Sequence, residues 1–288
     1  MNPVAVARRT GVALGGVVAL LLGLTGCGGD DDGQQNGTCR LSLADVAEGD
    51  PDGHPDPLGA RAAGQARAGR ILSADQIVTG PDQRNPVRIG DFLLANDRLA
   101  VYLEDLGQSD GYASFGAEIL AVDEVGEDGR PLGHSVYNEA LLGLGIEMLD
   151  PSSLTVRNDG SDGAAAVVRV KGQFKRIAFL ADVLEVFFSD PIERPGYYDY
   201  VLEPGSSTLT VRLGLINDRD QVLDTSGFEL YGFFHYNRAE LFVPSKGFGG
   251  GAGTEVAYFD GNPFGFAVRP RQGKLSFTVQ ASGFQLFL

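Results

Sequence analysis

Residues 91–105 read DFLLANDRLAVYLED, and this stretch decides the fold class. Residues 92–94 and 99–103 are short apolar runs of the kind that pairs in sheets. Asn96 and Asp97 lie between them, and both residue types tolerate the backbone angles of a tight turn. A strand, a short turn and a second strand predict a β-hairpin.

The same pattern of short apolar runs and turn residues continues along the chain. Forty-one glycines and 14 prolines favour turns, while 17 phenylalanines and nine tyrosines favour strands. Roughly 12–15 such runs, with turn signals about every 8–12 residues, are typical of sandwiches and barrels. The sequence therefore predicts an all-β fold, a large antiparallel β-sandwich. Residues 179–188 fit either one buried strand or two helical turns.

The amino-terminal segment has a different character. Arg8 and Arg9 precede an apolar run over residues 12–24, and residues 24–27 read LTGC. The run is too short to span a hydrocarbon core of about 30 Å. The segment resembles a bacterial lipoprotein signal peptide with its lipobox. A secretory peptide cleaved elsewhere and a buried helix are the alternatives.

The lipobox resemblance implies an address and a membrane partner. Residues 1–26 would be removed, and Cys27 would carry the lipid that anchors the exported protein in the cell envelope. Gly28 rather than aspartate follows the cysteine, which points to the outer membrane. Cys39 would then be an unpaired thiol, with an intermolecular disulfide as the alternative.

Residues 27–69 predict a flexible, acidic linker ahead of a sandwich domain over residues 70–288. Residues 28–36 read GGDDDGQQN, a polar tract that cannot bury apolar surface. Residues 50–57 read DPDGHPDP, and their three prolines disfavour both helix and sheet. Residues 60–68 fit a short helix.

Two stretches of the body are similar to a known family. Residues 90–98, GDFLLANDR, and residues 200–205, YVLEPG, resemble segments of the N-terminal β-domain of large exported proteins of myxobacteria and their relatives. The resemblance covers about residues 68–288 and implies a galactose-mutarotase-like "supersandwich". In many such proteins a PHP-type metallohydrolase domain follows. This chain has three histidines and no His-x-His cluster, so hydrolase activity is not implied. A shortened relative or a fragment is an open alternative.

Charge and composition exclude several classes of partner. The chain has 23 Lys and Arg residues against 38 Asp and Glu residues, which gives a formal net charge of −15. Arg8 and Arg9 of the signal segment are among these basic residues. Such a charge argues against nucleic acid and against basic-patch binding to anionic lipids. No Cys/His spacing fits a zinc site, and no motif indicates a cofactor.

The chemistry-bearing residues allow two functional hypotheses. A non-catalytic domain that binds carbohydrate or protein would use candidates around His235, Tyr236, Arg238 and His134, with tyrosines that offer flat faces to sugars. The sugar-binding tyrosines would be Tyr197, Tyr198, Tyr200, Tyr231 and Tyr236.

An enzyme of mutarotase or epimerase type is the alternative. It would pair His235 or His134 with a carboxylate, such as Glu229 or Glu240, as general acid and base. The alternative interpretations are that His235 is a hydrogen-bonded strand residue and His134 a loop residue. No residue is assigned as catalytic from the sequence alone, and a purely structural remnant is a third hypothesis.

Overall fold

The chain folds mainly into short β-strands, as its sequence predicts. The structure, a computed structural model, describes residues 16–22, 41–81, 83–107, 109, 113–135, 137–144, 147–177, 193–219, 230–236, 239–244, 247–248, 255–261, 265–271, 277–281 and 284–287. The helical turns in these residues are of the 3₁₀ type, at Leu43–Asp45, Pro57–Gly59 and Ala74–Gln76. The strands are β1 (Gly16–Leu22), β2 (Ala66–Arg70), β3 (Phe92–Asn96), β4 (Leu99–Leu103), β5 (Ile119–Glu124), β6 (Tyr137–Leu144), β7 (Glu147–Asn158), β8 (Ala166–Arg176), β9 (Pro195–Leu202), β10 (Thr208–Leu215), β11 (Leu230–Tyr236), β12 (Ala239–Val243), β13 (Gly247–Phe248), β14 (Ala257–Gly261), β15 (Phe266–Pro270), β16 (Phe277–Ala281) and β17 (Phe284–Phe287).

The strands pair in two runs that pack against each other and are joined where β6 pairs with β7. One run follows β2, β3, β4, β5, β6, β11, β17 and β16, and the other follows β7, β8, β9, β10, β1, β15, β14, β12 and β13. Among the described strands, the pairings are antiparallel except for the two made by β1. The predicted antiparallel β-sandwich is confirmed.

The main core lies between the two runs. Phe92 and Val101 of the predicted hairpin share one buried cluster with Val168, Tyr200 and Val211 of the facing layer. These side chains alternate along their strands, because successive residues of a strand point to opposite faces.

A second core covers the other face of the hairpin. Leu93, Tyr102 and Ala121 form a separate buried cluster with Leu58 and Ile71, which come from the preceding irregular segment. The strands β3 and β4 are therefore buried on both faces, which explains their continuous apolar sequence.

The predicted hairpin turn also joins the two layers. Asn96 Oδ1 accepts hydrogen bonds from the backbone N–H groups of Arg98 and Leu99, each at 2.8 Å. Asn96 Nδ2 donates to the carbonyl oxygens of Glu203 and Ser206, each at 2.8 Å. One buried side chain thus closes its own turn and holds the β9–β10 turn of the facing layer.

Residues 41–69 differ from the predicted linker. Lys171 Nζ, on a side chain only 5% exposed, contacts Glu48 at 2.6 Å and the Val46 carbonyl oxygen at 2.7 Å. Asp50 forms an isolated antiparallel bridge with Val156. A buried ammonium group needs such partners, so this segment packs on the sandwich.

The short helix predicted over residues 60–68 is wrong. Residues from Ala66 onward form β2, in which Ala66 pairs with Asn96. Gly64, with a φ of +86°, precedes the strand within a turn. The available edge of β3 satisfies the backbone hydrogen bonds of these residues, which decides in favour of a strand.

Part of the predicted signal segment lies in the sheet. Residues 16–22, which the signal-peptide interpretation leaves outside the fold, form β1 between β10 and β15. Cys27, Cys39 and the ambiguous stretch 179–188 lie outside the described residues.

Candidate functional site

The residues predicted for the site lie in different parts of the molecule. His235 and Tyr236 end strand β11, of which the structure describes the backbone at these positions. Arg238 and Cys27 lie outside the described residues. His134 lies in the loop that follows β5. The backbone register places His235 opposite Glu139 of β6, with an irregularity between His235 and Tyr236.

His134 lies beside a buried carboxylate, but through its backbone. Asp123 Oδ2 accepts from the Gly133 N–H at 2.5 Å, and both Asp123 oxygens lie 3.1 Å from the His134 backbone nitrogen. Asp123 Oδ1 also accepts from the Glu124 N–H at 2.9 Å. Backbone N–H groups therefore donate hydrogen bonds to both oxygens of this carboxylate, and these bonds hold the loop in place.

Burial controls the protonation of Asp123. Loss of solvent raises its pKa to about 6, although the backbone N–H donors of His134, Gly133 and Glu124 act in the opposite direction. Burial raises the pKa of Tyr102 to about 12, and the negative charge of the nearby Asp123 acts in the same direction. The Tyr102 hydroxyl donates to the Gln76 carbonyl oxygen and accepts from the Val78 N–H.

Three buried glutamates form a second titratable cluster. Glu104 follows β4, Glu118 precedes β5, and Glu139 lies in β6; all three are buried. Glu118 Oε1 accepts from Ser109 Oγ at 2.9 Å. Burial raises the pKa of Glu118 well above its usual range, and the neighbouring Glu104 and Glu139 raise it further. The Oε2 atoms of Glu104 and Glu118 are buried and have no donor.

The space beside this cluster is small. A cavity of about 20 Å³ is lined by Glu118, Met148, Tyr198 and Tyr200, among others. That volume holds about one water molecule and no sugar ring. Glu118, just before β5, therefore borders water-sized space.

Exposed aromatic side chains lie together on strands β12, β13 and β14. Phe242 of β12 is flanked by Phe248 of β13, with ring centroids 5.3 Å apart, and by Tyr258 of β14 at 6.5 Å. Phe248 is 63% exposed and Tyr258 is 43% exposed. We call these three residues the aromatic patch. Monomeric proteins rarely leave clustered apolar rings in water, and such surfaces commonly bind ligands.

Two carboxylates lie on the same face as the aromatic patch. Glu240 and Asp260 are directly opposite in the β12–β14 register, two residue pairs along from Phe242 and Tyr258. Both are exposed. Since residues two apart on a strand share a face, the acidic pair borders the aromatic rings.

Three of the five tyrosines predicted for sugar binding make contacts within the fold. Tyr198 and Tyr200 are core residues whose hydroxyls donate to the carbonyl oxygens of Leu142 at 2.6 Å and Ala117 at 2.9 Å. Tyr197 lies under the Arg169 guanidinium, 4.5 Å from it. Tyr231 and Tyr236 lie in β11, whose side chains at these positions are outside the described residues.

Alternation along two strands is the signal that could have found the aromatic patch. In residues 240–243, Glu-Leu-Phe-Val, the second and fourth residues are buried; in residues 257–260, Ala-Tyr-Phe-Asp, the first and third are. The aromatic residues Phe242 and Tyr258 therefore fall on the outward positions.

Comparisons with known proteins add no relatives. The chain matches no protein-family model, no curated protein and no solved structure. Within the described residues, no group of three or more His, Cys, Asp and Glu side chains is arranged to hold a metal ion. In that same part of the chain, no helix is long and apolar enough to cross a membrane.

Proposed function

We propose that this chain is an exported, lipid-anchored protein of the cell envelope whose β-sandwich binds carbohydrate without catalysis. The observation that carries the binding function is the aromatic patch, three rings clustered on an outward sheet face. The proposed anchor is the lipid on Cys27, and no nucleic-acid partner is expected for so acidic a chain.

The chemistry of the aromatic patch suits a sugar. The C–H faces of a pyranose ring pack on aromatic rings, while its hydroxyls need hydrogen-bond acceptors nearby. Glu240 and Asp260 supply such acceptors beside Phe242 and Tyr258. Two carboxylates favour a neutral or cationic sugar over an anionic one, because like charges repel.

The binding proposal is tested with variants of the aromatic patch. Phe248→Ala and Tyr258→Ala should each weaken binding to a panel of neutral polysaccharides about five- to tenfold, since one aromatic contact contributes on the order of 1 kcal/mol. Affinity electrophoresis of the full chain measures this. Leu132→Ala is the matched control, because Leu132 is also exposed, at 45%, but lies in the loop after β5, outside the aromatic patch.

The possible outcomes separate sugar from protein. Equal retardation of the wild type and both variants would contradict carbohydrate binding at the aromatic patch. If no polysaccharide binds, chemical cross-linking to envelope proteins tests a protein ligand. A cross-linked protein that is lost in Phe248→Ala and Tyr258→Ala but kept in Leu132→Ala would mean that the aromatic patch binds a protein instead.

The anchoring proposal has its own test. Replacement of Cys27 by serine removes the thiol that would accept the lipid, so the protein should move from the membrane fraction to the soluble fraction. Cys39→Ser is the matched control and should leave the distribution unchanged. Retention of the Cys27→Ser variant in membranes would contradict lipidation at this residue.

A second candidate function follows from the register of β11. His235 pairs with Glu139, a carboxylate that interacts electrostatically with Glu118. The register thus aligns a histidine with a glutamate, the two residue types that general acid–base catalysis by a mutarotase or epimerase requires. His235→Gln should then abolish anomer interconversion of aldoses while His134→Gln retains it. Equal rates for the wild type and His235→Gln would exclude this function.

A further inference from the structure

The strand β1 occupies an unusual position in the sheet. It runs parallel to β10 on one side and parallel to β15 on the other, whereas the other described pairings are antiparallel. The opposite edges of β10 and β15 are taken by β9 and β14. Among the described pairings, β1 is thus the element that connects β10 with β15.

The proposed processing would remove this strand. The residues of β1 belong to the apolar run ahead of Cys27, and cleavage before Cys27 would release them. Each of β10 and β15 would then present a row of unpaired backbone N–H and C=O groups. Their separation would leave room for one strand, since adjacent strands lie about 4.8 Å apart.

We propose that, in the processed protein, the slot between β10 and β15 binds one extended strand of a partner protein, parallel to β10. This inference rests on the proposed cleavage before Cys27, and it is independent of the aromatic patch. The occupant is an amphipathic strand: aliphatic side chains at alternate positions, and carboxylates between them.

The inner face of the slot requires aliphatic residues. The register aligns positions 18 and 20 of β1 with Leu209 and Val211 of β10, both of which are buried core residues. Position 18 also aligns with Val268 of β15. A partner strand must therefore place aliphatic residues at positions equivalent to 18, 20 and 22.

The outer face of the slot favours carboxylates. The register aligns position 21 with Arg212 of β10 and position 19 with Arg269 of β15, and both arginines are exposed. A carboxylate at either position of the partner strand would lie beside a guanidinium group. Opposite charges on neighbouring strands stabilise pairing.

The test uses two labelled peptides with the same composition. The peptide GTVELEL places valine and leucine at the inner positions and glutamate at positions 19 and 21, while GVTLELE shifts this pattern by one residue. Both are titrated by fluorescence anisotropy against the processed protein, purified from membranes in detergent. We expect GTVELEL to bind at least tenfold more tightly.

Charge reversal provides the matched pair of variants. Arg212→Glu should weaken binding of GTVELEL about tenfold, whereas Arg98→Glu, at an exposed turn of the other layer, should not change it. Equal affinity for the two peptides, or no affinity for either, would overturn the slot. An intact mass that retains residues 1–26 would instead overturn the cleavage, and with it this inference, while leaving sugar binding at the aromatic patch untouched.

Discussion

The β3–β4 hairpin and the β12–β14 strands use the same residue types to different ends. In the hairpin, every residue of both strands is buried, because a core covers each face. In β12 and β14, alternate residues are buried and the others reach solvent. Phe92 is fully buried, whereas Phe248 is 63% exposed. Apolar rings in the hairpin stabilise the fold, and those on the outer strands are available to a ligand.

Polar groups differ between these two regions in the same way. Asn96 makes four hydrogen bonds with backbone groups of two turns. Glu240 and Asp260 lie opposite each other with like charges, which disfavours strand pairing. The hairpin is arranged for stability, and the outer strands retain an arrangement that stability alone would not select.

The largest contrast is expected from truncating one ring in each region. Phe92→Ala should lower the free energy of unfolding by about 3–5 kcal/mol, because it leaves a cavity between the layers and removes the ring under the Arg70 guanidinium. Phe248→Ala should change it by less than about 0.5 kcal/mol. Urea unfolding measures both. Similar losses for the two variants would contradict the division between core and patch.

A pH series probes the buried acids near the hairpin. Burial raises the pKa of Asp123 to about 6 from 3.8, so the folded state holds this proton more tightly than the unfolded state. The contribution of Asp123 to the free energy of unfolding is therefore largest below pH 4 and should fall by roughly 3 kcal/mol between pH 4 and 6. Asp123→Asn should remove this slope in chemical unfolding.

An exposed aspartate provides the control for that series. The Ala164 N–H and the Asn158 side chain lower the pKa of Asp162. Its contribution is thus present at neutral pH and is lost as the pH falls below its usual range, which is the opposite sign. Asp162→Asn should leave the decline between pH 4 and 6 in place. A decline that survives Asp123→Asn would assign it to other acids, such as Glu118.

The hairpin and the sandwich were predictable because their signals are local. Strand, turn and strand follow one another within residues 91–105, and the same pattern recurs down the chain. The packing of residues 41–69 was not predictable, since it depends on the buried Lys171, more than a hundred residues away. Composition alone made those residues resemble a linker.

The candidate site was less predictable than the fold. Each outward aromatic residue could be placed on a face by alternation, but the contact of Phe242 with Tyr258 depends on a register across a long connection. Tyrosines in β9 looked equally suited to sugars, and the facing layer buries two of them. Burial of this kind is decided by the pairing of distant strands.

A smaller effect is expected from the asparagine of the hairpin turn. Asn96→Ala should cost about 1–3 kcal/mol, because it leaves buried backbone groups without partners. Asn96→Asp keeps the acceptor toward Arg98 and Leu99 but loses both donors toward Glu203 and Ser206. It should therefore be at least as destabilising in thermal unfolding. A neutral Asn96→Asp variant would show that the bonds between the layers contribute nothing.

The smallest effect should come from the acidic pair beside the aromatic patch, and its sign is the informative part. Glu240→Gln removes repulsion from Asp260 and should raise the free energy of unfolding by a few tenths of a kcal/mol at low salt. The gain should shrink at about 1 M salt, where charges are screened within about 3 Å. Glu127→Gln, at an exposed loop, should show no gain. A Glu240→Gln variant that is more stable yet binds cationic or neutral sugars more weakly would show that the two carboxylates serve ligand binding. A variant that is less stable would show that the pair stabilises the fold.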